Sequence, residues 1–193
     1  MTSPLSRLIV VEATRDLIVA DGLEAVSLRR LAARLGVTAP ALYAYVADKH
    51  DLLRAVAEGE FERLIATMET IDEPDPVQRL RRLSRAYIDV ALREPELFRT
   101  MFLFPPDLAV AGATGEELPL ATTSFQLALD AVTEAIESGT LRALDPTVAA
   151  LTLWTATHGA ATVLLLGFPF DDVTRDLLID SVLDTVLAGL AAP

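Results

Sequence analysis

Apolar residues recur along this chain at helical spacing. Sustained alternation of apolar and polar residues is absent, and glycine or proline interrupts the pattern about every 10–20 residues. The spacing predicts a first helix from about Leu5 to Asp21, stopped at Gly22, and a short one over Leu28–Leu35, stopped at Gly36. A third spans about Ala39 to Val46. Asp48 caps a fourth, with Asp51 three residues on as in a capping box, and that helix continues to about Thr70. IDEPDP, 71–76, reads as a linker. Beyond it come an arginine-rich helix over Gln78–Arg93 and a break at Glu94-Pro95. A short aromatic helix ended by Pro105-Pro106 follows, and then a mobile loop over 107–119. Three more helices are expected at about Leu118–Ser138, Pro146–Leu166 and Asp172–Ala188. The fold class is therefore all-α.

The second and third helices carry the most specific pattern. Leu28, Leu31, Ala32 and Leu35 form one apolar stripe, with Arg29, Arg30 and Arg34 off it. Ser27 is a natural N-cap, Gly36 permits a left-handed turn, and Val37 can plug the space between the helices. Pro40 belongs in the first turn of the third helix, where its missing N–H does no harm. Leu42 and Val46 point inward, so Ala39, Ala41, Tyr43 and Ala44 point away. Two short helices joined at a glycine suit a helix-turn-helix, whose second helix enters a DNA major groove. In that reading Thr38 donates to or accepts from a base edge, and Ala39 and Ala41 touch thymine methyls. Tyr43, Tyr45 and Lys49 hold phosphates, while Ser27 and Arg29 bind the flanking backbone. The plainer alternative is a small three-helix cap with two surface tyrosines.

Charge limits where a nucleic-acid surface can lie. The 193-residue chain carries a formal net charge of −12, yet residues 1–57 hold seven Lys+Arg against six Asp+Glu. The acidic surplus thus belongs to the remainder, and only the first 57 residues can face a polyanion. The chain has no cysteine, which excludes disulfides, cysteine metal sites and a thiol nucleophile. Two histidines exclude a histidine-rich metal site. We read no signal peptide at the N-terminus and expect a cytoplasmic protein. Residues 151–170 carry no formal charge over a length that could span a bilayer. Four threonines, a histidine and two glycines make them a helix inside protein instead.

Residues 5–57 resemble the N-terminal domain of the TetR family of transcriptional repressors, most closely through SLRRLAARLGVTAPALYAYVADKHDLL, 27–53. The resemblance implies a helix-turn-helix DNA-binding domain over residues 1–48, followed by a helical effector-binding and dimerisation domain over 49–193. It implies DNA contacts at Ser27, Arg29, Thr38, Ala39, Pro40, Ala41, Tyr43, Tyr45 and Lys49. The base-reading positions are mostly small and apolar, so shape and methyl contacts gain weight over hydrogen bonds. WTATHGAATVLLLG, 154–167, further resembles a C-terminal subclass with a Trp-x-x-x-His-Gly motif. The family resemblance also implies a homodimer on a palindromic operator and release by a small, largely apolar effector, with no cofactor.

The residues add some support of their own. Leu151 and Val163–Leu166 in one late helix, and Leu177, Leu178, Val182, Val186, Leu187 and Leu190 in the other, suit a four-helix interface through about 146–166 and 172–188. Alternatively they are core helices of a monomer. Phe98, Met101, Phe102, Phe104, Phe125, Trp154 and His158 are candidates for an effector pocket, or simply core. The segment Glu94–Phe104 and the fourth helix would carry the effector's signal to two recognition helices spaced about 34 Å apart. An enzyme is disfavoured: the chain has no nucleophile elbow, P-loop or metal spacing, and Glu58, Glu60 and Glu62 scatter round a helix. A helical binding protein without DNA binding stays open.

Overall fold

A computed structural model of the chain describes residues 5–102 and 119–193. Phe104, the Pro105-Pro106 stop and all but the last residue of the expected loop lie outside them. The described residues form nine α-helices: α1 (Arg7–Asp21), α2 (Leu28–Leu35), α3 (Ala39–Leu42), α4 (Lys49–Glu69), α5 (Pro76–Arg93), α6 (Pro95–Met101), α7 (Pro119–Glu137), α8 (Pro146–Leu164) and α9 (Asp172–Leu190). A 3-10 turn at Leu23–Ala25, which helical spacing alone does not signal, separates α1 from α2. The described residues contain no strand, only an isolated antiparallel bridge between Leu141 and Ala191.

Backbone contacts divide the chain into two compact units. One comprises the chain up to Arg63 with Glu94–Thr122, the other Leu64–Arg93 with Thr123–Pro193. In the first unit, α1, α2 and α3 close around Val10, Leu31, Ala32, Leu42, Val46 and Leu52, all buried. Val37 packs against this cluster, as its position in the turn predicts. Each fully buried leucine contributes roughly 2 kcal/mol of apolar burial. The helix α6 packs on α1 in the same unit.

Three local expectations are revised. The third helix stops at Leu42 rather than Val46. Tyr43 N–H donates to Pro40 O and Tyr45 N–H to Leu42 O, so the chain tightens into i→i+3 turns, and a lone i→i+4 bond from Val46 N–H to Leu42 O does not extend the helix. Ala39 does not point away: it packs half-buried against the core. The capping box at α4 is also altered. Asp48 accepts from Asp51 N–H at 2.8 Å, but the Asp51 carboxylate accepts from Ala47 N–H at 2.9 Å.

In the second unit α5 packs against α8 and α9, and α8 against α9. Ala149, Ala150, Ala160 and Ala161 on α8 are buried and small, which permits close helix approach. The arginines that mark α5 in the sequence answer the acidic surplus nearby. Arg79 pairs with Glu134, Arg81 with Asp184, and Arg85 with Asp89 and Asp176. The C-terminus is tied down by Arg142 N–H to Leu190 O (2.9 Å) and Ala192 N–H to Thr140 O (3.1 Å). No helix among the described residues is long and apolar enough to cross a membrane.

Candidate nucleic-acid interface

The turn between α2 and α3 is built from the residues singled out above. The Ser27 hydroxyl caps α2 by accepting from Arg30 N–H at 3.2 Å. At the other end Gly36 sits at φ 68°, ψ 28°, and Val37 N–H returns to Ala32 O at 3.0 Å. That left-handed residue redirects the chain into α3. Thr38 opens α3 with extended backbone, and its side chain makes no capping bond. A hydroxyl that does not cap is available for another partner.

Leu42 and Val46 are fully buried, so their neighbours face out. Thr38, Pro40, Ala41, Tyr43, Ala44 and Lys49 are exposed, with Tyr43 58% accessible. Ser27 and Arg29 are exposed at the start of α2. Tyr45 is half-buried, its ring packed against the core, which narrows what it can offer a phosphate. Ala39 is likewise half-buried.

Cations in this unit divide into two groups. Arg7 pairs with Asp51, Arg15 with Glu60 and Arg30 with Asp21. Arg29, Arg34 and Lys49 are exposed and make no ion pair among the described residues. They lie on α2 and at the start of α4, the helices before and after α3.

Two constellations that the sequence did not signal hold this surface in place. Arg7 grips Asp51 through two bonds of 2.9 and 2.8 Å and donates to Tyr45 O at 2.7 Å. The first residue of α1 thereby clasps the turn between α3 and α4. The Arg7 guanidinium, with Ala47 N–H, holds the Asp51 carboxyl down at about 2. Deeper in the unit, Glu60 on α4 is only 5% exposed. It accepts from Arg15 at 2.7 Å and Arg63 at 2.5 Å, and Arg63 reaches Glu12 at 2.7 Å. The four charges bridge α1 and α4. Partners 44 and 45 residues apart leave no local trace in a sequence.

The effector candidates form two separate groupings. Phe98 and Met101 are buried and Phe102 half-buried in the first unit, with the Phe98 and Phe102 rings 4.9 Å apart. In the second unit Trp154 stacks on His158 at 5.2 Å, and Tyr87 Oη lies 2.7 Å from His158 Nδ1. Burial lowers the His158 pKa and pushes the Tyr87 phenol well above its usual range. Phe125 is half-buried on α7. Phe104 lies outside the described residues.

Comparison with known proteins agrees with this geometry. Residues 10–56 match the family model "Bacterial regulatory proteins, tetR family", and residues 80–188 match "Tetracyclin repressor-like, C-terminal domain". No curated protein matches the sequence. Among solved structures the chain is similar to a protein of unknown function from Rhodococcus sp. RHA1. Identity is 30% over 96% of this chain and 95% of that one, with a TM-score of 0.77. It also resembles a TetR/AcrR-family transcriptional regulator from Thermobifida fusca at 22% identity, covering 95% of this chain and 97% of that one, TM-score 0.71. A third similar structure is AibR in complex with isovaleryl coenzyme A and operator DNA. Its identity is 20%, with 93% of this chain and 96% of that chain covered and a TM-score of 0.66. The helix-turn-helix and the helical region that follows it thus find their match together, and the chain belongs to the TetR family of bacterial regulatory proteins.

Proposed function

We propose that this DNA-binding transcriptional regulator is a repressor that sits on a palindromic operator as a homodimer and leaves it when a small effector binds. One observation carries the reading. The outward side of α3 is small-residued and exposed, and the three cations beside it, Arg29, Arg34 and Lys49, lack acidic partners among the described residues. In this reading residues 1–48 read DNA. Thr38 and Ala41 meet base edges, with Ala39 and Pro40 setting how closely α3 approaches. Ser27, Arg29, Tyr43, Lys49 and the backbone near Tyr45 hold phosphates.

Residues 49–193 then dimerise and bind the effector. A single chain leaves Val148, Val163, Leu166, Phe168, Val173 and Leu177 exposed on α8, on α9 and in the turn between them. An open, mostly apolar groove of about 480 Å³ runs along Val148, Leu151, Thr152, Thr155, Ala156 and Val186. A second copy of the same two helices is the occupant that fits, because a two-fold pairing also supplies two reading heads. The effector is largely apolar, lined by Phe98, Met101 and Phe102 or by Phe125, Trp154 and His158. AibR, which takes an acyl coenzyme A and operator DNA, is a precedent for both partners. Membership of the Trp-x-x-x-His-Gly subclass rests on Trp154, His158 and Gly159.

Selection from random duplexes, followed by mobility shift at two salt concentrations, tests the reading. A sequence-specific complex weakened by salt is expected. Thr38→Ala, Tyr43→Ala and Lys49→Ala should lose affinity while remaining folded dimers. If no duplex is enriched, the chain is a helical binding protein that does not read DNA.

A further inference from the structure

Among the described residues of the first unit, the buried charged groups are satisfied except in one pair. Glu60 is held by two arginines, as described above. On the same helix, Arg54 Nε and Glu58 Oε1 are both sealed from water and meet no hydrogen-bonding partner. Residues 54 and 58 are one turn apart on one face of α4. A glutamate and an arginine so placed ordinarily pair, yet these two do not. The Arg54 guanidinium turns back to His50, 3.3 Å from Nδ1. The Glu58 carboxylate accepts from the backbone N–H of Leu120, in the first turn of α7. Burial raises the Glu58 pKa, and the Leu120 bond offsets this only in part.

An aromatic cluster begins less than one turn further along α4. Phe61, three residues past Glu58, is buried, and its ring meets Phe102 edge-on at 5.9 Å. Phe102 in turn lies against Phe98. A donor and an acceptor thus lie unmatched within a turn or two of Phe61 on α4, in a unit whose buried Glu60 is paired. Unmatched buried polar atoms destabilise a fold and are retained where something else satisfies them.

We propose that Arg54 and Glu58 anchor the polar head of the effector, and that this head is neutral and both donates and accepts, as a hydroxyl or a primary amide does. Its O–H or N–H donates to Glu58 Oε1, its oxygen accepts from Arg54 Nε, and its apolar body lies along Phe61, Phe98 and Phe102. A carboxylate head would suit Arg54 but face Glu58; an ammonium head would do the reverse. The inference rests on the reading of the chain as an effector-responsive regulator, and it names the effector's chemical class.

Four eight-carbon probes test it on the full chain: 1-octanol, octanamide, octanoate and octylammonium. Melting temperature and release from the selected duplex are the readouts. The two neutral probes should raise the melting temperature and release DNA. The charged ones should bind about tenfold more weakly, the equivalent of one lost charge-assisted hydrogen bond. Arg54→Met and Glu58→Gln should abolish the preference. Glu58→Gln keeps an acceptor for Leu120 and removes the desolvated charge, so without probe it should melt at or above the wild-type temperature. Equal response to all four probes, unchanged preference in the variants, or a Glu58→Gln protein melting well below wild type would overturn the proposal. Both variants should still bind the selected duplex. Failure of the wild-type chain to bind any duplex would instead fault the regulator reading.

Discussion

The face around α3 and the face of α8 and α9 differ in what a single chain leaves uncovered. Around α3 the leucines and valines are buried and what remains outside is threonine, proline, alanine, one tyrosine and unpaired cations. On α8, on α9 and in the turn between them six large apolar residues stay exposed, from Val148 to Leu177, and no cation is left over: Arg175 pairs with Asp172. Water is a tolerable solvent for the first face and a poor one for the second. In the proposed reading the first takes a hydrated polyanion that comes and goes, and the second a permanent apolar cover. Both are consistent with a regulator whose DNA partner is reversible and whose protein partner is another copy of itself.

The largest effect is expected from breaking the second face. Leu166→Glu together with Leu177→Glu places charges in the exposed apolar surface, where neither side chain is needed for the fold of a single chain. Sedimentation should show a folded monomer. Operator affinity should fall by about 10²–10⁴, because linking two half-site contacts in one particle gives an advantage of that order. A double variant that remains dimeric would move the interface elsewhere.

Breaking the first face should cost less and leave the dimer intact. Lys49→Ala removes one unpaired exposed cation, so binding should weaken across all duplexes alike and the salt slope should fall by about one. Thr38→Ala removes a hydroxyl that caps nothing. Its loss should be confined to certain base pairs, at about 1–3 kcal/mol if the hydroxyl reads a base edge. Mobility shift on a panel of single-base operator variants separates the two patterns.

How much of each region could be read from the sequence follows from the range of the interactions involved. The helix α2 was legible to the residue, because Ser27, the leucine stripe and Gly36 act within one turn of each other. The inward side of α3 was legible at Leu42 and Val46 for the same reason, though not at Ala39. Its length was not: helix propensity over four residues is too weak to decide between an α turn and a tighter one. The glutamates at 58, 60 and 62 scatter round α4 as the spacing says. Spacing could not show that Glu60 is buried and clamped by Arg15 while one oxygen of Glu58 stays unmatched, since both facts depend on other helices. The clasp of Arg7 on Asp51 was illegible in the same way. On α8 and α9 the apolar content was plain in the sequence. Which apolar residues face the chain's own core and which face outward required coordinates.

The Arg7–Asp51 clasp supports a third expectation, with its sign set by charge. Asp51 is held at about 2, below its ordinary value of 3.8. Its stabilising contribution is therefore present above pH 4 and is lost as the pH falls from about 4 to about 2. Asp51→Asn should lower neutral-pH stability by about 1 kcal/mol, a figure discounted for the solvent exposure of both partners. The difference from wild type should close across that acidic window. Thermal melts at several pH values measure it, and a constant difference would mean that Asp51 acts without its charge.

The smallest effect makes the sharpest comparison, because it applies one chemical change to both units. Gly36 in the first and Gly139 in the second sit at φ 68° and 75°, and a Cβ added at either would meet nothing within 4 Å. Each ends its helix in the same way, with the next residue's N–H returning to a carbonyl five positions back: Val37 to Ala32, Thr140 to Ala135. Alanine at either position should therefore cost only the strain of a left-handed residue, about 1 kcal/mol, and asparagine less. Equal losses of melting temperature are expected. Operator affinity should separate them: Gly36→Ala shifts the angle at which α3 leaves α2 and should weaken binding beyond its stability cost, whereas Gly139→Ala should leave it unchanged. Should the two variants bind DNA equally well, the turn at Gly36 would be a means of folding only, and the direction of α3 would have to be set by the Arg7 clasp at its other end.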